Sequence, residues 1–408
     1  MRRFIYVTIL QVFLFGCIEN NVENLNEGMW LVELDVLDNQ KLPFNLKLNK
    51  NLDGNYVGEV YNADETIIVD EIKVYGDSIL IQTPVFEGYF KGKFTKDHMQ
   101  GDFIKESFDR IVPFTATHGI EKRFKSGKKS NQVVSGIWET YFSPESPEEY
   151  AGKGIFVQNG DKVTGTFRTT TGDYRYLEGL VFGDSLKLSA FDGAHVFLFT
   201  AKITDSTLNG MFYSGNHFKE PFIAQRNEVF ELPDEDSLTY LKKGYETFNV
   251  SFPNDDGEMI MLSDVEFQNK PVIVQLMGTW CPNCLDETKF LVSYLEENKD
   301  LDIKVVALAF EYAKTEEAAY KGIKRLKDRI GVQYPILLAK FGGADKDVAQ
   351  EKLPMLNHIL SFPTTIFIDK KGKVRKIHTG FNGPATGDKF IEFKKNFNQL
   401  VTDLLNEK

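Results

Sequence analysis

The sequence predicts a multidomain protein: two antiparallel β modules, each a barrel or a sandwich, followed by an α/β domain. Three observations lead there. A set of short sequence elements recurs in the same order about 108 residues further along the chain, as a duplication requires. Near residue 247 the pattern changes from short strands broken by turns to strands alternating with helices. With 408 residues, 42% of them hydrophobic and 13% aromatic, the chain is globular and too long for one hydrophobic core. A net charge of −11 argues against nucleic acid as a partner.

The first residues read as an address. Arg2 and Arg3 precede an apolar run, residues 4–15, that is too short to span a bilayer. The run ends in Leu14-Phe15-Gly16-Cys17, which resembles the lipobox of bacterial lipoproteins. The resemblance implies a lipoprotein signal peptide over residues 1–17, with Cys17 as the lipidated first residue of the mature chain. It places the protein in the cell envelope, lipid-anchored to a membrane and facing the periplasm.

The first β module is expected over residues 28–120. Strands are predicted at 30–36, 44–48, 55–61, 66–75, 78–83, 88–95, 99–104 and 111–117, where β-branched and aromatic residues are separated by Asp-Gly, Gly-Asp and Asn-rich turns. The second is expected over residues 136–226. There Gly28-Met29-Trp30 returns as Gly136-Ile137-Trp138, Gly76-Asp77-Ser78 as Gly183-Asp184-Ser185, Met99-Gln100-Gly101 as Leu208-Asn209-Gly210, and Val112-Pro113-Phe114 as Glu220-Pro221-Phe222. Trp30 and Trp138 are expected at equivalent core positions. A basic run over residues 122–129 and an acidic one over residues 231–236 read as linkers, the basic one solvated.

The α/β domain is expected over residues 245–408. Its strands are predicted at 272–277, 303–310, 335–338, 365–369 and 374–379. Helices are expected at 281–298, 315–330 and 387–405, the second opened by Thr315-Glu316-Glu317 and closed by Gly331. The domain's distinguishing feature is Cys281-Pro282-Asn283-Cys284, which uses two of the chain's three cysteines. A Cys-x-x-Cys between a strand and a helix is a redox device. The helix N-terminus stabilises a thiolate, and the second thiol closes a disulfide to release a substrate. Zinc needs about four ligands, and the sequence has no second pair at a ligand spacing, so neither a metal nor another cofactor is expected. His358 and His378 show no partner spacing that suggests catalysis.

Together these residues resemble the TlpA/ResA-like family of thiol-disulfide oxidoreductases, which have the thioredoxin fold. The supporting segments are Gly278-Thr279-Trp280-Cys281-Pro282-Asn283-Cys284, Glu287, Ser361-Phe362-Pro363-Thr364-Thr365-Ile366-Phe367-Ile368-Asp369 and Gly372-Lys373-Val374. By its place at the first helical turn Cys281 is read as the attacking thiol, and Cys284 as the resolving one. The resemblance implies that Glu287 sits in a pocket below them and relays protons to the inner thiol. Gln275, where thioredoxin has a buried Asp, cannot titrate, which strengthens that role. The resemblance also implies a cis bond before Pro363 and a substrate-binding surface of Trp280, Pro282, Phe362, Pro363 and Thr364. Expected partners are protein or small-thiol disulfides and a membrane redox donor, with the protein acting as a reductant. Two alternatives stay open. One is a peroxiredoxin-like peroxidase, since Thr279 stands two residues before Cys281; the other is a binding lipoprotein whose β modules hold a ligand. Neither module contains a cysteine or a cluster of His with carboxylates, so both are expected to be passive in the redox chemistry.

Overall fold

The structure is a computed structural model that describes residues 24–125 and 127–407. The signal peptide and Cys17 lie outside the described residues.

Turn glycines and alternating strands build the first module as a meander. Its strands are β1 (Gly28–Asp35), β2 (Lys41–Lys50), β3 (Tyr56–Asn62), β4 (Glu65–Val69), β5 (Glu71–Tyr75), β6 (Ser78–Gln82), β7 (Tyr89–Phe94), β8 (His98–Lys105) and β9 (Arg110–His118). They form one antiparallel sheet in the order β4-β3-β2-β1-β9-β8-β7-β6-β5. The second module has β10 (Gly136–Phe142), β11 (Tyr150–Asn159), β12 (Lys162–Thr169), β13 (Gly172–Asp173), β14 (Leu177–Phe182), β15 (Ser185–Phe191), β16 (Val196–Ile203), β17 (Thr207–Ser214) and β18 (Phe218–Arg226). Here β11 pairs with β12 and β12 with β14, so the long strands close into a barrel.

The two modules are copies of one design. In each, the first strand lies between the second and the last. Trp30 and Trp138 are both fully buried, and each indole N–H donates to the backbone carbonyl four residues earlier, Asn26 at 3.0 Å and Val134 at 2.8 Å. The turn glycines Gly76 and Gly183 have matching left-handed φ of 58° and 55°. The copies differ at one seam. β4 is a full strand that pairs only with β3, so β4 and β5 do not pair with each other, whereas its counterpart β13 is a two-residue stub that lets β12 reach β14. The modules share a core: Phe191, Val196, Leu198 and Tyr213 of the second pack within the core of the first, and Phe191 stacks on Phe44 at 4.5 Å.

The basic segment between the modules corrects the expectation of a solvated linker. Arg123 and Phe124 are buried, and the Arg123 guanidinium donates to the carbonyls of Ser189 and Tyr61. The acidic segment is also fixed in place: Glu235 is buried against Arg168 at 3.1 Å.

The third domain opens with a hairpin, β19 (Ser251–Pro253) and β20 (Met259–Met261). It continues with β21 (Val272–Met277), α1 (Pro282–Glu297), β22 (Lys304–Phe310), α2 (Glu316–Ile330), β23 (Ile336–Lys340), α3 (Lys346–Lys352), β24 (Thr364–Ile368), β25 (Val374–Thr379) and α4 (Asp388–Asn406). The mixed sheet runs β23-β22-β21-β24-β25, with β21 and β22 parallel and β24 antiparallel to β21. Every residue of β21 is buried, which explains why five of its six side chains are apolar and why the sixth, Gln275, needs hydrogen-bond partners. α1 and α4 pack through Phe290, Tyr294 and Phe397. α2 docks at the open seam of the first module, where Arg325 pairs with Glu71 at 2.6 Å and Arg329 with Asp70.

Candidate active site

The central strand β21 delivers the chain to the head of α1. Gly278 makes the turn because a Cβ there would collide with the Trp280 indole and lie 2.8 Å from the Phe310 carbonyl. Cys281 then caps the helix in an extended conformation, and its Sγ accepts the Cys284 N–H at 3.2 Å. Cys281 and Cys284 are joined as a disulfide with Cα atoms 5.2 Å apart. Cys284 is fully buried, whereas Cys281 keeps 6% of its surface. The backbone N–H aimed at Sγ and the positive end of α1 both favour a thiolate at Cys281 once the bond is reduced.

The loop before β24 closes over the couple. Phe362–Pro363 is cis, and the Phe362 carbonyl lies 3.4 Å from Cys281 Sγ. Trp280 is half-buried; its N–H donates to the Phe310 carbonyl at 2.9 Å, and its ring meets Tyr312 edge-on at 4.8 Å. Pro282 is buried in the first turn of α1. Thr364 turns inward, donating to the Ser361 carbonyl at 2.8 Å, so it shapes the loop from within.

Glu287 lies on the same helix one turn below Cys284 and is buried. Gln275 Nε2 donates to one carboxylate oxygen at 2.8 Å and Thr365 Oγ1 to the other at 2.5 Å. Gln275 also reaches the Cys284 carbonyl at 3.3 Å, which ties the carboxyl to the inner cysteine. Burial raises the Glu287 pKa; the Thr365 and Gln275 hydrogen bonds and the nearby His378 oppose the rise. His378 pairs in register with Thr365 across β24 and β25, and Asp236 holds it at 2.7 Å. The histidine that showed no partner in the sequence thus has a place beside the buried carboxyl.

A second buried carboxyl, Glu311, was not anticipated. It accepts the Thr279 backbone N–H at 2.8 Å and the Thr279 hydroxyl at 2.6 Å. Burial pushes its pKa up to about 7, against the pull of those two bonds. The only sequence signal was its position just after the apolar run of β22, and nothing there distinguished it from a solvated residue.

The second module reaches the site as well. Arg175 is buried among Glu65 at 2.5 Å, Asp192 at 3.7 Å and Asp286 of α1. The turn joining β12 to β13 lies against the couple: Asn283 Nδ2 donates to the Asp173 carbonyl at 3.2 Å, and Ser361 Oγ to the Thr171 carbonyl at 2.8 Å. Among the described residues no group of His, Cys, Asp and Glu is placed to hold a metal ion.

Residues 242–390 match the Redoxin family. The thioredoxin-like protein YneN of Bacillus subtilis is 29% identical over 141 residues, 34% of this chain and 73% of the relative. The thiol-disulfide oxidoreductase ResA of Halalkalibacterium halodurans is 28% identical over 154 residues, 38% of this chain and 78% of the relative. Among solved structures, a putative protein disulfide isomerase from Bacteroides thetaiotaomicron aligns with 43% of this chain and 95% of its own, at 20% identity and a TM-score of 0.31. A putative thiol:disulfide interchange protein DsbE from Chlorobium tepidum aligns with 41% and 100%, at 20% identity and a TM-score of 0.31. The family match, the relatives named thiol-disulfide oxidoreductases and the Cys-x-x-Cys disulfide at the head of α1 make residues 242–390 a Redoxin-type, thioredoxin-like thiol-disulfide oxidoreductase domain.

Proposed function

We propose that the protein is a lipid-anchored reductant of the cell envelope that exchanges disulfides through Cys281 and Cys284. The observation that carries this reading is the disulfide itself, capped by a helix N-terminus, bordered by the Phe362 carbonyl and underlain by a buried carboxyl. In the reduced protein the Cys281 thiolate attacks a substrate disulfide. A mixed disulfide forms and one substrate thiolate leaves. Cys284 loses its proton and attacks Cys281 Sγ, which closes the intramolecular disulfide and releases the second substrate thiol. Two electrons pass from the couple to the substrate; the Cys284 proton and one from solvent complete the two product thiols. Glu287 is the group that takes the Cys284 proton, since Gln275 links it to the Cys284 backbone. Protein or small-thiol disulfides are the substrates, and a membrane redox donor restores the dithiol.

The anchor is Cys17, at the end of a lipobox-like segment. Among the described residues no helix is long and apolar enough to cross a membrane. Two measurements test the reading. A reduction potential for Cys281/Cys284 near that of thioredoxin, about −270 mV, supports a reductant, and one near about −120 mV contradicts it. Mass spectrometry of the mature protein should find a lipidated Cys17, and an unmodified N-terminus contradicts the anchor.

A further inference from the structure

The turn between β12 and β13 packs beside the couple, next to the cis-proline loop where the resemblance to thioredoxin-fold enzymes implies that a substrate strand binds. The three chain segments that border the couple on this side are the head of α1, the loop before β24 and the loop after β25. Each makes a hydrogen bond to the turn. Asn283 Nδ2 and Ser361 Oγ donate to the carbonyls of Asp173 and Thr171, and the Gly383 N–H donates to Asp173 Oδ2 at 2.6 Å. Each of these bonds joins a side chain to a backbone group, and two glycines let the segments approach closely. A Cβ on Gly172, whose φ is +135°, would overlap the Asn283 amide and lie 3.0 Å from the Phe381 carbonyl; one on Gly380 would lie 2.8 Å from the Thr171 carbonyl carbon. Arg175, buried between Asp192 and Asp286 just beyond the turn, holds this segment to α1. Only 6% of Cys281 is left exposed.

A protein substrate binds such a loop as an added extended strand, through main-chain hydrogen bonds. The turn takes hydrogen bonds from Asn283, Ser361 and Gly383, the residues that flank the couple on this side, and so fills the space such a strand would enter. On the other side of the couple, Trp280 and Thr279 border an open cleft of about 1040 Å³ whose far wall includes Phe108 and Arg110 of the first module. Building on the redox reading above, we propose that residues 170–173 are a specificity element. The turn occupies the strand-binding side of the couple, so small disulfides exchange directly while a disulfide within a protein must first displace it.

The test uses the reduced full-length protein and two variants, Gly172→Ala and Asp173→Ala. Gly172→Ala forces the turn away from Asn283, and Asp173→Ala removes the Gly383 contact. Exchange rates are measured with insulin as the protein disulfide and with hydroxyethyl disulfide as the small one. The insulin rate relative to the small-disulfide rate should rise about tenfold in both variants, as expected for losing one or two hydrogen bonds. Hydrogen–deuterium exchange on the same proteins should show residues 170–173 losing protection while β14–β18 keep theirs. An unchanged ratio, or two rates that rise or fall together, overturns the proposal; so does a turn that stays protected in both variants. A wild-type protein that exchanges with neither disulfide overturns the redox reading, and the specificity element with it.

Discussion

Replacing Glu311 by Gln should remove a loss of stability that the wild-type domain suffers near neutral pH. Glu311 is 3% exposed and its pKa is raised by burial from an ordinary value near 4.5 to about 7. The folded state therefore favours the protonated carboxyl. That contribution to stability is fully present below about pH 4.5 and is lost as the pH rises through about 7. The interval, at about 1.36 kcal/mol for each pH unit, comes to about 3 kcal/mol. Gln keeps the size and does not titrate; its Oε1 accepts the Thr279 N–H, and its Nε2 donates to the Thr279 hydroxyl, which turns to accept it. The variant should accordingly gain about 3 kcal/mol on the wild type between about pH 4.5 and about pH 8. Native-state hydrogen exchange of the β21 and β22 amides reads this domain by itself, which bulk unfolding of a multidomain chain does not. Subtracting wild type from variant at each pH cancels the intrinsic exchange rate. A difference that stays flat to within about 0.5 kcal/mol would show that Glu311 ionises as an ordinary carboxylate, and the burial argument would fail.

Three further outcomes follow from the packing. Glu287→Gln should slow exchange by about 10²-fold or more and remove one ionisation from the pH–rate profile while the domain stays folded; an unchanged profile leaves Glu287 a structural residue. Trp30→Ala and Trp138→Ala should each cost about 3–5 kcal/mol, since both rings are fully buried and each donates to the carbonyl four residues earlier; a large cost at only one site contradicts the equivalence of the copies. Arg175→Met should cost about 3–5 kcal/mol at neutral pH by stranding the Asp192 carboxylate and its neighbours; urea midpoints within error of wild type would contradict a paired buried cluster.

Much of the third domain was legible because its signals are local. The mostly apolar run 272–277, interrupted only by Gln275, is β21, residue for residue. Thr315 and Gly331 announced α2 and do cap it, Thr315 Oγ1 accepting the Ala318 N–H at 3.2 Å and Gly331 adopting φ 81°. The duplication was legible because the glycines and tryptophans that set the turns and cores stand at one offset. What could not be read depends on partners far away in sequence. Arg123 looks like part of a solvated basic run until the carbonyls of Ser189 and Tyr61 are brought to it. Glu311 looks like any surface Glu until Thr279 covers it. The contact of Thr171 with Ser361 joins residues 190 positions apart, and no composition or periodicity signals it. The helix α3 was missed because seven residues carry too little periodicity to stand out from a loop.

The central claim is that Cys281 performs the attack and Cys284 resolves it. Its most direct test is to react reduced Cys284→Ser protein with a disulfide substrate and map the adduct by peptide mass spectrometry. The geometry predicts a persistent mixed disulfide on Cys281, with Cys281→Ser forming no adduct and exchanging nothing. Rapid exchange by Cys281→Ser, or no trapped species on Cys281 in Cys284→Ser, would contradict it.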